Sequence, residues 1–119
     1  MRPEEYLSSY TEVQKFFDLL QKTIGDVLDQ VFGENTAKVI YNYLETTVEV
    51  KWTEIGERPK EFSAELKKLL GSGASNVEIL ILKKLYSHLH LEFVKRKDHE
   101  FSDYIKELRS KRDFKWKIK

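Results

Sequence analysis

Residues 71–85 read GSGASNVEILILKKL: two glycines one residue apart, a few small and polar residues, then a dense apolar run. Three readings compete for it. A P-loop needs four residues between its glycines and then Lys and Ser or Thr, so that amides wrap the phosphates and the lysine meets their charge. Nothing of that kind follows Gly73. A dinucleotide fingerprint needs a preceding strand and a third glycine, but a helix-like stripe precedes and Asn76 holds the third place. Neither Ser72 nor Ser75 has glycines two residues away on both sides, as a nucleophile elbow requires. A DNA-recognition helix presents a polar, usually basic, N-terminal face, whereas this one offers Ser75, Asn76 and Glu78 and then Ile79, Leu80, Ile81 and Leu82. On a helical projection Val77, Ile81, Leu85, Leu89, Leu82 and Tyr86 form a wide apolar arc, the mark of a central, buried helix. The stretch reads as a corner: Gly71 closes one helix, and a central helix over 74–90 follows.

One residue on that arc is out of place. Glu78 falls among Leu85, Leu82 and Ile81, where a carboxylate is costly unless paired or hydrogen-bonded. Either it lies inside the fold against a tyrosine, a basic side chain or the amides near Gly73, with a raised pKa if unpaired, or it turns to solvent in the first helical turn, where the dipole favours it.

Outward from the corner, Phe62, Leu66, Leu69 and Leu70 make one stripe of a helix that Pro59 begins. Asn35 is placed to cap a helix running to about Thr47, with Ala37, Ile40, Tyr41, Leu44 and Val48 on one side. FSDYIKELR, from Phe101, reads as another helix with Ser102 as its cap and Phe101, Tyr104, Ile105 and Leu108 turned inward. VEVKW (48–52) alternates apolar and charged residues and predicts a short strand, which the alternating tail FKWKIK (114–119) or LEF (91–93) would pair with.

The N-terminal helix is the longest. Tyr6, Tyr10, Val13, Phe17, Leu20, Ile24, Val27 and Val31 are spaced 4, 3, 4, 3, 4, 3, 4, a heptad seam that Gly33 is placed to end. A helix of about 29 residues reaches about 43 Å, against a diameter of roughly 35 Å for a compact chain of this size. The seam therefore either packs on the chain's own core or serves self-association. Its flanks, Leu7, Gln14, Gln21 and Leu28 on one side and Ser9, Phe16, Thr23 and Gln30 on the other, lack the charges of a two-stranded zipper and favour a broader buried face.

These elements predict a mainly α fold: one domain over 1–119, with a heptad helix at 1–33, a helical core at 34–108, a basic segment at 109–119 and a short two- or three-stranded β element. The 119 residues, 40% apolar, suit a single core. With 21 basic and 20 acidic side chains the whole molecule has no strong field to steer a polyanion. The ends differ: residues 1–35 hold three basic and seven acidic side chains, residues 83–119 twelve and six. No cysteine is present, which excludes disulfides, thiolate catalysis and Cys-ligated metal sites and fits a reducing cytoplasm. No apolar run approaches a membrane span, and the acidic start is unlike a signal peptide. Many Glu and Lys with one Met also suit a thermophile's surface.

Two further clusters gather histidines and basic residues. His88, His90 and His99, near Glu92, Asp98 and Glu100, are spaced as surface histidines rather than as metal ligands, because HxH faces one side only on an extended backbone. Arg109, Lys111, Arg112, Lys115, Lys117 and Lys119 interleave with Phe114 and Trp116, a pattern that suits phosphate neutralisation with base stacking, or a solvated lysine face on an edge strand.

GENTAKVIYNYLETT, KEFSAELKKLLGSGASNVEILILKKLYSHLHLEF and EFSDYI together resemble the small archaeal family called the Nitrosopumilus output domain, over about residues 33–108. The resemblance implies a helical module at the output end of archaeal signalling proteins and brings no catalytic residues or cofactor. VEVKW departs from the glycine-led turn that the family would have after its second helix. The expectation is a non-enzymatic regulatory or interaction module, dimeric through the long helix and cytoplasmic, with nucleic-acid binding through the basic segment as the alternative.

Overall fold

The computed structural model of the chain describes the backbone at residues 3–48, 51 and 54–110, and the side chains at 12–46, 51 and 54–110. Five α-helices follow one another: α1 (Pro3–Phe32), α2 (Glu34–Tyr43), α3 (Pro59–Leu70), α4 (Gly73–His88) and α5 (Phe101–Ser110), with one π-helical turn at Leu44–Val48 after α2. The mainly α expectation holds, and the β element finds no support among the described residues. No strand occurs among the described residues; Val48 closes the π turn and Leu91–Phe93 has no ladder partner. The rest of VEVKW, apart from Lys51, and the tail at 114–119 lie outside the described residues.

The helix α4 is the hub. It packs on α1, α3 and α5, while α2 packs on α1. Its Ala74, Val77, Ile81, Leu82 and Leu85 are buried, as the wide apolar arc requires. From α1 come Phe16, Phe17, Leu20, Ile24, Val27 and Leu28, together with Thr23, whose hydroxyl donates to the Leu19 carbonyl at 2.7 Å. Each large side chain so enclosed contributes on the order of 1.5–3 kcal/mol relative to exposure.

The buried face of α1 is thus broader than a heptad stripe, because Phe16, Thr23 and Leu28 flank the seam without charge. Of the seam, Phe17, Leu20, Ile24 and Val27 lie in the chain's own core, Val13 packs at its edge, and Val31 is 44% exposed. The side chains of Tyr6 and Tyr10 lie outside the described residues.

Three boundaries differ from expectation for local reasons. Gly33, at φ 85°, is both the end of α1 and the N-cap of α2, so Asn35 is a helical residue and not the cap. Ser102 is buried inside α5; the Asp103 carboxylate accepts the Glu100 backbone N–H at 2.8 Å and closes the start of that helix instead. At the corner, Gly71 stands at φ 60° and its N–H donates to the Lys67 carbonyl at 2.8 Å, which satisfies an end of α3.

The loop before α3 is tied to α1 and to the first turn of α3. Gly56 lies against the Phe17 ring, so that a Cβ there would overlap it. Arg58 bridges Glu54 and Glu61, each at 3.3 Å.

Candidate functional site

A half-open cavity of about 180 Å³ lies where α3, α4, α5 and the segment 91–100 meet. Lys67 of α3, Ser75, Glu78, Ile79 and Leu82 of α4, Phe93, Lys95, His99 and Glu100 of the connecting segment, and Phe101 and Tyr104 of α5 line it. Rings cluster in one part of the wall: those of Phe93 and Tyr104 have centroids 5.3 Å apart, and those of His99 and Tyr104 5.2 Å apart.

The segment 91–100 has no regular secondary structure, so side chains position it. The Arg96 N–H donates to the Tyr104 hydroxyl at 2.7 Å, and its guanidinium lies 5.5 Å from the centre of the Tyr104 ring. Glu107 of α5 takes that guanidinium on one oxygen and His99 Nε2 on the other, the latter at 2.7 Å. His99 and Arg96 together hold the Glu107 carboxyl below the usual carboxylate range. Of the three histidines, His99 is thereby engaged in this network, and among the described residues no group of three or more His, Asp or Glu side chains is gathered as metal ligands would be.

Glu78 lies inside the fold, 7% exposed. Its partner is none of the three that the sequence suggested. Ser63 of α3 donates its hydroxyl to Oε2, Oε1 has no hydrogen-bond partner among the described residues, and the Glu78 side chain forms part of the cavity wall. Burial pushes this carboxyl up, the Ser63 hydrogen bond and the Lys67 charge pull it back, and Glu100 opposes them.

Sequence reading missed Ser63, and the signal for it was present. Pro59, Phe62, Ser63 and Leu66 are the buried positions of α3, spaced i, i+3, i+4, i+7. The stripe therefore leans toward Ser63 and away from Leu69, which is 39% exposed.

On the opposite flank of α4 a shallower groove of about 450 Å³ runs beside α1. Val27, Gln30 and Val31 form one wall, Leu80, Lys83, Lys84 and Ser87 the other, and Val31 and Leu80 are 44% and 45% exposed. Of the basic C-terminal set, Arg109 is half-buried and donates Nη1 to the Gly56 carbonyl at 3.3 Å, so it joins the fold rather than a free basic face. Lys111, Arg112, Lys115, Trp116, Lys117 and Lys119 lie outside the described residues.

No helix among the described residues is long and apolar enough to cross a membrane. No protein-family model, curated protein or solved structure matches the chain.

Proposed function

We propose that this protein is a non-enzymatic regulatory module of the signal-output kind, acting through protein–protein association, and that a second copy of the chain docks at the groove between α1 and α4. The observation that carries the reading is the shared exposure of Val31 and Leu80, at 44% and 45%, in one groove. Covering such surface is favourable by about 25 cal/mol per Å² of apolar area. The cytoplasmic setting and the output role rest on the absence of cysteine and on the resemblance over residues 33–108.

Charge complementarity supports a second copy as the occupant. Lys83 and Lys84 rim the groove, and residues 1–35 hold seven acidic against three basic side chains. The seam spacing of α1 reads the same in both directions. Two copies approaching antiparallel about a twofold axis would lay the α1 of each, with its excess of acidic side chains, along the lysine-rimmed groove of the other, making one contact twice.

The test is mass in solution. A dimer at high protein concentration that becomes monomeric on Leu80→Glu or Val31→Glu supports the docking face. A strict monomer, or a dimer indifferent to both substitutions, removes it. Both side chains are exposed in the single chain, so neither substitution threatens the core.

A further inference from the structure

We propose that the cavity between α3, α4 and α5 binds a free α-amino acid with an apolar side chain, its ammonium on Glu78 and its carboxylate on Lys67 and Lys95. The inference is independent of the docking groove, which lies on the other flank of α4.

The first observation is Glu78 itself. A carboxylate this deeply buried ordinarily has each oxygen satisfied, yet only Oε2 has a partner, the Ser63 hydroxyl. The free oxygen belongs to a side chain that forms part of the cavity wall. An N–H donor with positive charge is the group that satisfies it best, because a hydrogen bond between ionised partners is roughly twice as strong as a neutral one.

The second is the balance of charge around the cavity. Lys67 and Lys95 face it with no hydrogen-bond or ion-pair partner among the described residues, and Glu100 joins Glu78 on the acidic side. A bare amine leaves both lysines unmatched; a bare carboxylate leaves both acids unmatched. A zwitterion matches both signs, and Lys67 lies near enough to Glu78 for its charge to act on that carboxyl.

The third is size and lining. An apolar cavity of roughly 150 Å³ holds a molecule the size of benzene, and this one, of about 180 Å³, has Ile79, Leu82 and Phe93 in its wall. That suits a phenyl or branched aliphatic side chain with its charged end at the lysines.

The experiment is a titration of the whole chain with L-phenylalanine and L-leucine, followed by amide resonances and by melting temperature. 3-Phenylpropionate, which lacks the ammonium, and phenethylamine, which lacks the carboxylate, serve as comparators. We expect saturable shifts around Ser75, Ile79 and Lys95 and a raised melting temperature, with each comparator about tenfold weaker or worse. Glu78→Gln should weaken L-phenylalanine similarly. Lys95→Met, at an exposed position outside the core, should weaken it while leaving phenethylamine unchanged, and so tests the assignment even if Glu78→Gln misfolds. No saturable shift up to about 20 mM, comparators that bind as well as the amino acid, or binding indifferent to Lys95→Met would each overturn the proposal.

Discussion

The two flanks of α4 meet solvent in opposite ways. Toward α3 and α5 the helix encloses a charge: Glu78 is buried, one hydroxyl reaches it, and aromatic rings and lysines stand around it. Toward α1 it leaves oil outside: Leu80 and Val31 lie exposed between lysines. Both are departures from the pattern that stability alone favours, and they fall on either side of a stripe, Val77, Ile81 and Leu85, that departs from it nowhere. Stability should therefore reside in the stripe, and binding on the flanks.

The largest effect should come from the stripe. Ile81 is fully buried, and Ile81→Ala should cost about 2–5 kcal/mol by lost transfer and a residual cavity. Denaturant unfolding measures it. A loss no greater than that from a flank substitution would break the division between the central stripe and its sides.

Next comes the hydroxyl that holds the buried acid. Ser63→Ala removes the donor and leaves Glu78 with neither oxygen satisfied, a cost of about 1–3 kcal/mol. If the penalty belongs to the stranded carboxylate, Ser63→Ala made on a Glu78→Gln background should cost less than Ser63→Ala alone. Equal costs in both backgrounds would mean that Ser63 acts by packing.

The acid flank also carries opposed pH signatures. Burial raises the Glu78 carboxyl, so the folded state holds a proton that the unfolded chain has given up. Relative to Glu78→Gln, its contribution is complete below the ordinary glutamate value and is lost as pH rises through the folded value. Glu107 is lowered by His99 and Arg96, so its contribution is present above the ordinary value and is lost as pH falls through the folded one. Unfolding curves between about pH 4 and pH 8 should show Glu78→Gln removing the loss on the alkaline side and Glu107→Gln the loss on the acid side. A wild-type profile that parallels both variants would sink this account.

These expectations also show where the sequence was legible. The centrality of α4 followed from its apolar arc, and the corner at Gly71 followed from a glycine pair that no phosphate-binding spacing surrounds. The anomaly at Glu78 was visible because a carboxylate on such an arc has no inexpensive place to go. Its partner was harder to see: the stripe of Pro59, Phe62 and Leu66 puts Ser63 on the buried side of α3, but nothing in the sequence joins that serine to an acid 15 positions along the chain. The alternation in VEVKW is short, period two over five residues, and its first residue goes another way: Val48 closes a π-helical turn, from which the Thr46 hydroxyl donates to the Asn42 carbonyl at 2.6 Å. The seam of α1 was legible in part: its uncharged flanks pointed to a broad buried face, and Phe17, Leu20, Ile24 and Val27 do lie in the chain's own core, while Val31 is left exposed.

The smallest effect concerns the point where α4 hands the chain to the segment that walls the cavity. His90 stands at φ 60°, the only residue other than glycine with positive φ among the described residues. Its N–H donates to the Ser87 carbonyl at 3.0 Å, and that of Leu91 to the Tyr86 carbonyl at 2.9 Å, the two bonds of a Schellman cap whose left-handed position usually belongs to glycine. A side chain there strains the backbone by about 1–2 kcal/mol, part of which glycine returns as extra freedom of the unfolded chain. His90→Gly should therefore stabilise the protein by about 0.5–1 kcal/mol. It should leave the Glu78 signature untouched, because the cap sets the direction of the segment and Tyr104 and Glu107 hold its far end. A destabilised His90→Gly would show that the imidazole makes a contact worth more than the strain, and would extend the charged flank of α4 to the end of the helix.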